Sequence, residues 1–462
     1  MKRILSLPLA LMIGLSGLTT PVIAEDLPEI ESIITSLTAY TRVGAGNREV
    51  YAFELTVSDA EAIAELKAED FDVLNNGTCL IGTADNEIGK RYEDDGIVLT
   101  VEGNTLKMEV TPYRYAGIYE ADFSVTPWEV VCTNKALNFS IEDVTELLTE
   151  TVDDATIGEY TYAGLTRKYA LYVPKDEEGN PKKNVPLVVW NHGGGEYNID
   201  IMDTLIANRG FTAWNEEGYE CAVLMIQVAN PNYSYGAAMD EDKKKLIDQN
   251  NALQAAIVRD LIADGTADPD RVYVAGCSSG GGATMRFLLQ YPEMFAGAIA
   301  MCSMDPIVWV HYNRNDSLET IISNFEAAWQ GQVYTWDEES QEMTAVDVNT
   351  EALLNVPIYY THAQDDTTCS VNSSIAMYES MKNLGDTNNE LIIFSKEEMA
   401  ESGIYNIAGG GLYHWSWVKV LDETEEGTAV YKMFQQVRQE PEVPSIITSL
   451  TAYTRVGAGN RE

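Results

Sequence analysis

Val272-Tyr273-Val274-Ala275-Gly276-Cys277-Ser278-Ser279-Gly280-Gly281-Gly282 is the stretch whose reading decides the fold. A short β-branched and aromatic run ends in Gly-x-Ser-x-Gly. The segment 283–291 that follows is amphipathic, with Met285, Phe287, Leu288 and Leu289 as its apolar positions. Strand, tight turn and helix is the setting in which this pentapeptide holds a serine hydroxyl exposed on a strained turn. Such a turn leaves almost no room for side chains at Gly276 and Gly280. Ser278 is the candidate nucleophile. Taken alone, the pentapeptide is equally an ordinary Gly/Ser turn, so a base, an acid and an oxyanion hole must be found elsewhere in the chain.

The chain has only four histidines, which shortens the search for a base. His192 opens Asn191-His192-Gly193-Gly194-Gly195, directly after the apolar run 187–190. Glycines at that point let backbone N–H groups approach a developing oxyanion, so the expected donors are Gly194 (or Gly193) and Ser279. His414 lies in Gly409-Gly410-Gly411-Leu412-Tyr413-His414-Trp415-Ser416-Trp417, a glycine loop from which a base can reach the serine. Asp366 is the acid, with Asp365 as its alternative, in Thr361-His362-Ala363-Gln364-Asp365-Asp366. The order Ser278, Asp366, His414 is then the order of the α/β-hydrolase arrangement. His362 is expected to brace its loop, and His311 to sit on the surface or in a lid. Cys277 is a rival nucleophile only in position, since packing or a disulfide accounts for it as well.

Apolar runs at 185–190, 221–228, 272–275, 295–301, 356–360 and 391–394 alternate with helical stretches at 245–263, 282–291, 373–384 and 428–437. A hairpin pair at 160–173 precedes them. Buried strands alternating with helices predict a mostly parallel sheet covered on both faces. Upstream, strands are expected at 33–41, 50–57, 96–101, 106–112, 117–126 and 129–132, with one helical patch at 60–67. Their length and turn spacing suggest a small antiparallel sandwich. The segment 309–355, rich in aromatics that include Trp309, Tyr312 and Trp329, breaks the alternation. It reads either as a lid or substrate wall or as a small core of its own.

Charge and cysteines bound the setting. With 72 acids against 30 bases the net charge is −42, which disfavours nucleic acid and anionic lipid as partners. Lys2 and Arg3, an apolar run over 4–18 and small residues at Val22 and Ala24 have the layout of a signal peptide cut after Ala24. Removing it takes the net charge to −44, and no later segment is apolar enough for a membrane anchor. Six cysteines are too few for a disulfide scaffold, although Cys79 and Cys132 could pair. None has the spacing of a structural zinc site. Residues 445–462 repeat residues 32–49 letter for letter.

Three features together resemble secreted α/β-hydrolase esterases of the polyhydroxybutyrate-depolymerase and feruloyl-esterase kind. They are Asp268-Pro269-Asp270-Arg271-Val272-Tyr273-Val274 leading into the glycine-serine turn, the His-Ala-Gln-Asp-Asp loop, and His414-Trp415-Ser416-Trp417. The likeness is closest to two-domain esterases with an N-terminal immunoglobulin-like domain, and it implies Asp366 rather than Asp365 as the acid. The chain departs from the pattern at Cys369-Ser370, where a Val-Pro pair is usual. Tyr413 before His414 rules out the disulfide of tannase-like relatives. The resulting expectation is a signal peptide (1–24), an immunoglobulin-like sandwich (28–150), an α/β-hydrolase domain (155–440) and a C-terminal segment (441–462). The expected function is a secreted serine carboxylesterase acting on a small or polymer-borne ester, with Trp309 and Trp415 as substrate-wall candidates. No metal or organic cofactor is called for, and oligomeric state is left open. The rivals are a prolyl-oligopeptidase-like peptidase and a non-catalytic carbohydrate- or surface-binding protein.

Overall fold

The computed structural model describes residues 31–44, 48–75, 78–81, 96–114, 128–149, 151–207, 209–216, 218–229, 241–304, 316–402 and 413–438. The expected signal peptide, the strand at 117–126, Trp309, His311 and the C-terminal repeat lie outside them.

Among the described residues the N-terminal part holds nine strands: β1 (Ile34–Val43), β2 (Arg48–Val57), β3 (Phe71–Asn75), β4 (Thr78–Ile81), β5 (Ile97–Glu102), β6 (Thr105–Arg114), β7 (Trp128–Cys132), β8 (Phe139–Ser140) and β9 (Glu146–Thr149). They form two sheets, ordered β5-β6-β2-β1-β9 and β4-β3-β7-β8. One apolar core lies between the sheets, and Phe53 of β2 meets Phe139 of β8 edge-on, with ring centroids 5.1 Å apart. Two expectations need correction. The sandwich is not wholly antiparallel, because β9 runs parallel to β1. The patch at 60–67 is not an α-helix: it holds one 3₁₀ turn, Ala60–Ala62, and a second, Ala68–Asp70, follows it. Cys132 is a free cysteine, and the side chain of Cys79, its expected option for a bridge, lies outside the description.

Among the described residues the second part is built on an eight-stranded sheet: β10 (Thr156–Tyr162), β11 (Leu165–Tyr172), β12 (Val185–Asn191), β13 (Ala222–Ile226), β14 (Ala267–Cys277), β15 (Gly297–Met301), β18 (Ile358–Ala363) and β19 (Glu390–Phe394). A separate hairpin, β16 (Gln332–Asp337) with β17 (Glu342–Asp347), lies between β15 and β18 in the chain. The sheet order is β10-β11-β13-β12-β14-β15-β18-β19, and the last six strands in that order are parallel. The helices are α1 (Ile201–Ala207), α2 (Ala213–Glu216), α3 (Glu241–Ala263), α4 (Ser279–Gln290), α5 (Leu318–Trp329), α6 (Thr350–Leu354), α7 (Val371–Asn383), α8 (Lys396–Glu401), α9 (Ser416–Asp422) and α10 (Ala429–Phe434).

The strands read as continuous apolar runs because both faces are covered. Along β12, Val188 and Trp190 enter the core beneath α1, α2, α9 and α10. Leu187 and Val189 enter the opposite core, beneath α3, α4, α5 and α7. The described part of the aromatic insertion belongs to that second core. Trp329 is fully buried, stacks on Phe325 and donates its indole N–H to Ser380 Oγ at 2.6 Å.

A buried ion pair ties this layer together. Arg286 of α4 makes two hydrogen bonds to Asp248 of α3, at 2.7 and 2.5 Å, and Tyr334 N–H of β16 donates to the same carboxylate at 2.9 Å. Removing one partner strands the other charge in the core. Asp248→Ala should therefore lose about 3–5 kcal/mol of stability, read by urea denaturation.

Candidate active site

The carboxyl ends of the parallel strands gather the residues singled out above. β14 runs into Ser278, which adopts φ 58° and ψ −121°, a region that only a tightly constrained backbone holds in a non-glycine residue. The constraint is visible in the two flanking glycines. A Cβ on Gly276 would come within 2.5 Å of Gly280 O, and one on Gly280 within 2.0 Å of Asn191 O. Both contacts are with backbone, so no side-chain movement could relieve them. The turn is pinned further by hydrogen bonds from Ser278 N–H to Met301 O (2.9 Å) and from Met304 N–H to Ser278 O (2.9 Å).

His414 sits in a 3₁₀ turn, Tyr413–Trp415, immediately before α9. Its Nε2 is 3.0 Å from Ser278 Oγ, and its Nδ1 is 2.6 Å from Asp366 Oδ2. An ionised Asp366 can only accept, so Nδ1 carries the proton and Nε2 is left free to take one. The Asp366 carboxylate is itself fully held. Oδ1 accepts from Thr368 N–H (2.7 Å) and Cys369 N–H (3.0 Å), and Oδ2 also lies 3.2 Å from His362 Nε2. Burial alone would raise its pKa, but hydrogen bonds from His362 and His414 outweigh that and hold it well below the usual carboxylate range. Asp365 points to solvent. His362 is fully buried at the end of β18, with Nδ1 2.8 Å from Ser374 Oγ.

The glycine turn after β12 faces Ser279. His192 is buried there and bridges two strand ends: Val228 N–H donates to Nε2 (3.1 Å), so Nδ1–H donates to Gly193 O (2.9 Å). Of the expected oxyanion donors, Gly193 is engaged elsewhere. Its N–H donates to Glu196 Oε2 at 2.8 Å, with Glu196 only 2 % exposed. That leaves the Gly194 N–H as the candidate opposite Ser279. The N–H groups of Gly194 and Ser279 make no hydrogen bond to another described residue.

Ser278, His414 and this turn open on one cleft of about 380 Å³, lined also by Tyr197, Met304, Thr368, Trp415 and Trp417. Trp415 thus lies where a substrate wall is expected. No described residue of the aromatic insertion, 316–355, reaches the cleft. Cys277 is buried with its sulfur against Gly193, and burial, with the nearby Glu196, pushes its thiol far above the usual range, which makes it inert. Glu196 and Cys369 escaped sequence reading. Cys369 Sγ lies 3.9 Å from Ser278 Oγ, a neighbour that no local pattern announces. Nothing in Gly193-Gly194-Gly195-Glu196 announces that its acid is buried.

With the geometry in place, three likenesses bear on it. Residues 234–399 match the model of the prolyl oligopeptidase family. A 191-residue stretch is 28% identical to secreted lipase 5 of Gibberella zeae, covering 37% of this chain and 35% of the lipase. A solved structure, described as that of a thermostable esterase, superimposes with a TM-score of 0.56 at 20% identity, over 88% of this chain and all of that one. The fold is that of an α/β hydrolase. The family match and the lipase likeness, taken with this fold, support a serine hydrolase. Among the described residues no helix is long and apolar enough to cross a membrane.

The buried His192 has a consequence for pH. Burial pushes its pKa down to about 4, from 6.5. Between these values the unfolded chain binds a proton that the folded chain does not, so stability falls as pH is lowered through that window. The loss amounts to about 3 kcal/mol and levels off below pH ~4. His192→Gln should flatten the change in urea stability between pH 7 and 4.5.

Proposed function

We propose that this chain is an exported serine hydrolase of carboxylic esters, acting through Ser278, His414 and Asp366 and an acyl-enzyme. The observation that carries the reading is the unbroken line of hydrogen bonds from Asp366 Oδ2 through His414 to Ser278 Oγ, at 2.6 and 3.0 Å. Ser278 Oγ attacks the ester carbonyl carbon while His414 Nε2 takes its proton. The carbonyl oxygen becomes an oxyanion held by the N–H groups of Gly194 and Ser279. As the tetrahedral intermediate collapses, the bond to the leaving oxygen breaks and His414 returns the proton to the departing alcohol. Water then attacks the acyl-enzyme by the same route in reverse, releasing the acid and restoring Ser278. Asp366 stays ionised throughout, orienting His414 and stabilising its charged form. His362 supports Asp366 rather than taking the proton. This chemistry needs no metal or organic cofactor.

The ester reading is favoured by the likeness to a protein named as a lipase, and export by the signal-peptide layout together with that protein's being named as secreted. Both stretches of likeness are partial, so the match over 234–399 keeps peptide-bond hydrolysis as the second reading. We place the N-terminal sandwich as an immunoglobulin-like accessory domain, structural or substrate-presenting. Trp415 is proposed as part of the substrate wall.

Ser278→Ala should abolish hydrolysis of p-nitrophenyl esters while leaving the thermal midpoint unchanged; retention of wild-type kcat removes the assignment. Asp366→Asn should lower kcat by about 10⁴, whereas Asp365→Asn should stay within about threefold. A panel of p-nitrophenyl esters, methyl ferulate, acetylated xylan, a polyester film and proline-containing peptides decides between the readings. Turnover of the esters and not of the peptides is the expected outcome.

A further inference from the structure

Ser279 has entered the argument only through its backbone N–H, yet its side chain carries an observation of its own. The residue is 1 % exposed, and its Oγ is buried without a hydrogen-bond partner among the described residues. A buried hydroxyl left unpaired costs free energy that a methyl of the same size would not, so a partner arriving with the substrate is the natural account. The hydroxyl lies against the glycine turn: a Cβ built on Gly194 would come within 3.1 Å of Ser279 Oγ. Both residues line the cleft that holds Ser278 and His414. The other hydroxyls buried and unpaired among the described residues, those of Thr212, Ser303, Tyr360, Thr361, Ser373 and Ser416, belong to residues that do not line that cleft.

The position follows from covalent geometry. In any serine the Oγ is only three bonds from the amide nitrogen of the same residue. With the side chain gauche to that nitrogen, the hydroxyl comes to the side of the N–H on which an accepted oxygen would sit, opposite Gly194 N–H.

We propose that the Ser279 hydroxyl is a third hydrogen-bond donor to the oxyanion, and so a catalytic residue. The inference rests on the reading of Ser278 as nucleophile. Ser279 forms no covalent bond and keeps its proton. It donates a hydrogen bond that strengthens as charge moves onto the carbonyl oxygen, so it acts on kcat more than on KM.

The test uses the purified full chain carrying Ser279→Ala, a substitution that leaves the backbone N–H in place. Turnover of p-nitrophenyl acetate and inhibition by phenylboronic acid are measured together, because the boronate adduct of Ser278 is tetrahedral and anionic. We expect kcat to fall by about 10- to 1000-fold and KM to stay within about threefold. The boronate inhibition constant should rise by a factor similar to the fall in kcat, and the thermal midpoint should be no lower than that of the wild type. A kcat within about twofold of wild type overturns the proposal. So does a loss of activity accompanied by a lowered thermal midpoint with unchanged boronate affinity, which marks a structural role. Ser278→Ala is assayed in parallel. If it is inactive while Ser279→Ala is not impaired, the third donor fails and the nucleophile stands; if Ser278→Ala is active, the nucleophile itself fails.

Discussion

The tightest constraint in the molecule is the passage of the first turn of α4 beneath the end of β12. Two backbones meet there, and a single methyl group on Gly280 would stand 2.0 Å from the Asn191 carbonyl oxygen. Much of the site depends on that approach. It brings the glycine turn after β12 against Ser279, and it holds Ser278 in a left-handed conformation with its hydroxyl toward His414. Strain of this kind persists only where the surroundings over-determine it, and here two parallel strands and a helix do so.

Electrostatics complete what the backbone begins. Asp366 is buried and receives hydrogen bonds from two backbone N–H groups and two histidines. These partners fix both of its oxygens, so the imidazole of His414 meets an acceptor that cannot rotate away. Glu196 performs a comparable service on the other side of the cleft by engaging Gly193 N–H. Asp366 fixes the ring of His414, and Glu196 closes the turn that presents Gly194.

What could be read in advance follows from the range of the interactions involved. Val272–Gly282 was legible because strand, turn and helix are local, and because steric demand writes itself as glycine. The parallel sheet was legible from continuous apolar runs, a direct result of burial on two faces. The pairing of β9 with β1 was not, since four residues with one charged end carry no orientation signal. The aromatic insertion was ambiguous because an indole such as Trp329 looks the same in sequence whether it faces substrate or Ser380. The engagement of Gly193 by Glu196 was hidden for a similar reason: an acid after three glycines does not announce that it is buried.

The line from Asp366 to Ser278 also has a meaning for how the protein forms. Ser278 and His414 lie 136 residues apart, on elements separated in the chain by β15, β18 and β19. No local segment can assemble the site, and closing so long a loop comes late in folding. Enzymatic activity therefore becomes a reporter of global docking. It should return on refolding only after helical signal has recovered.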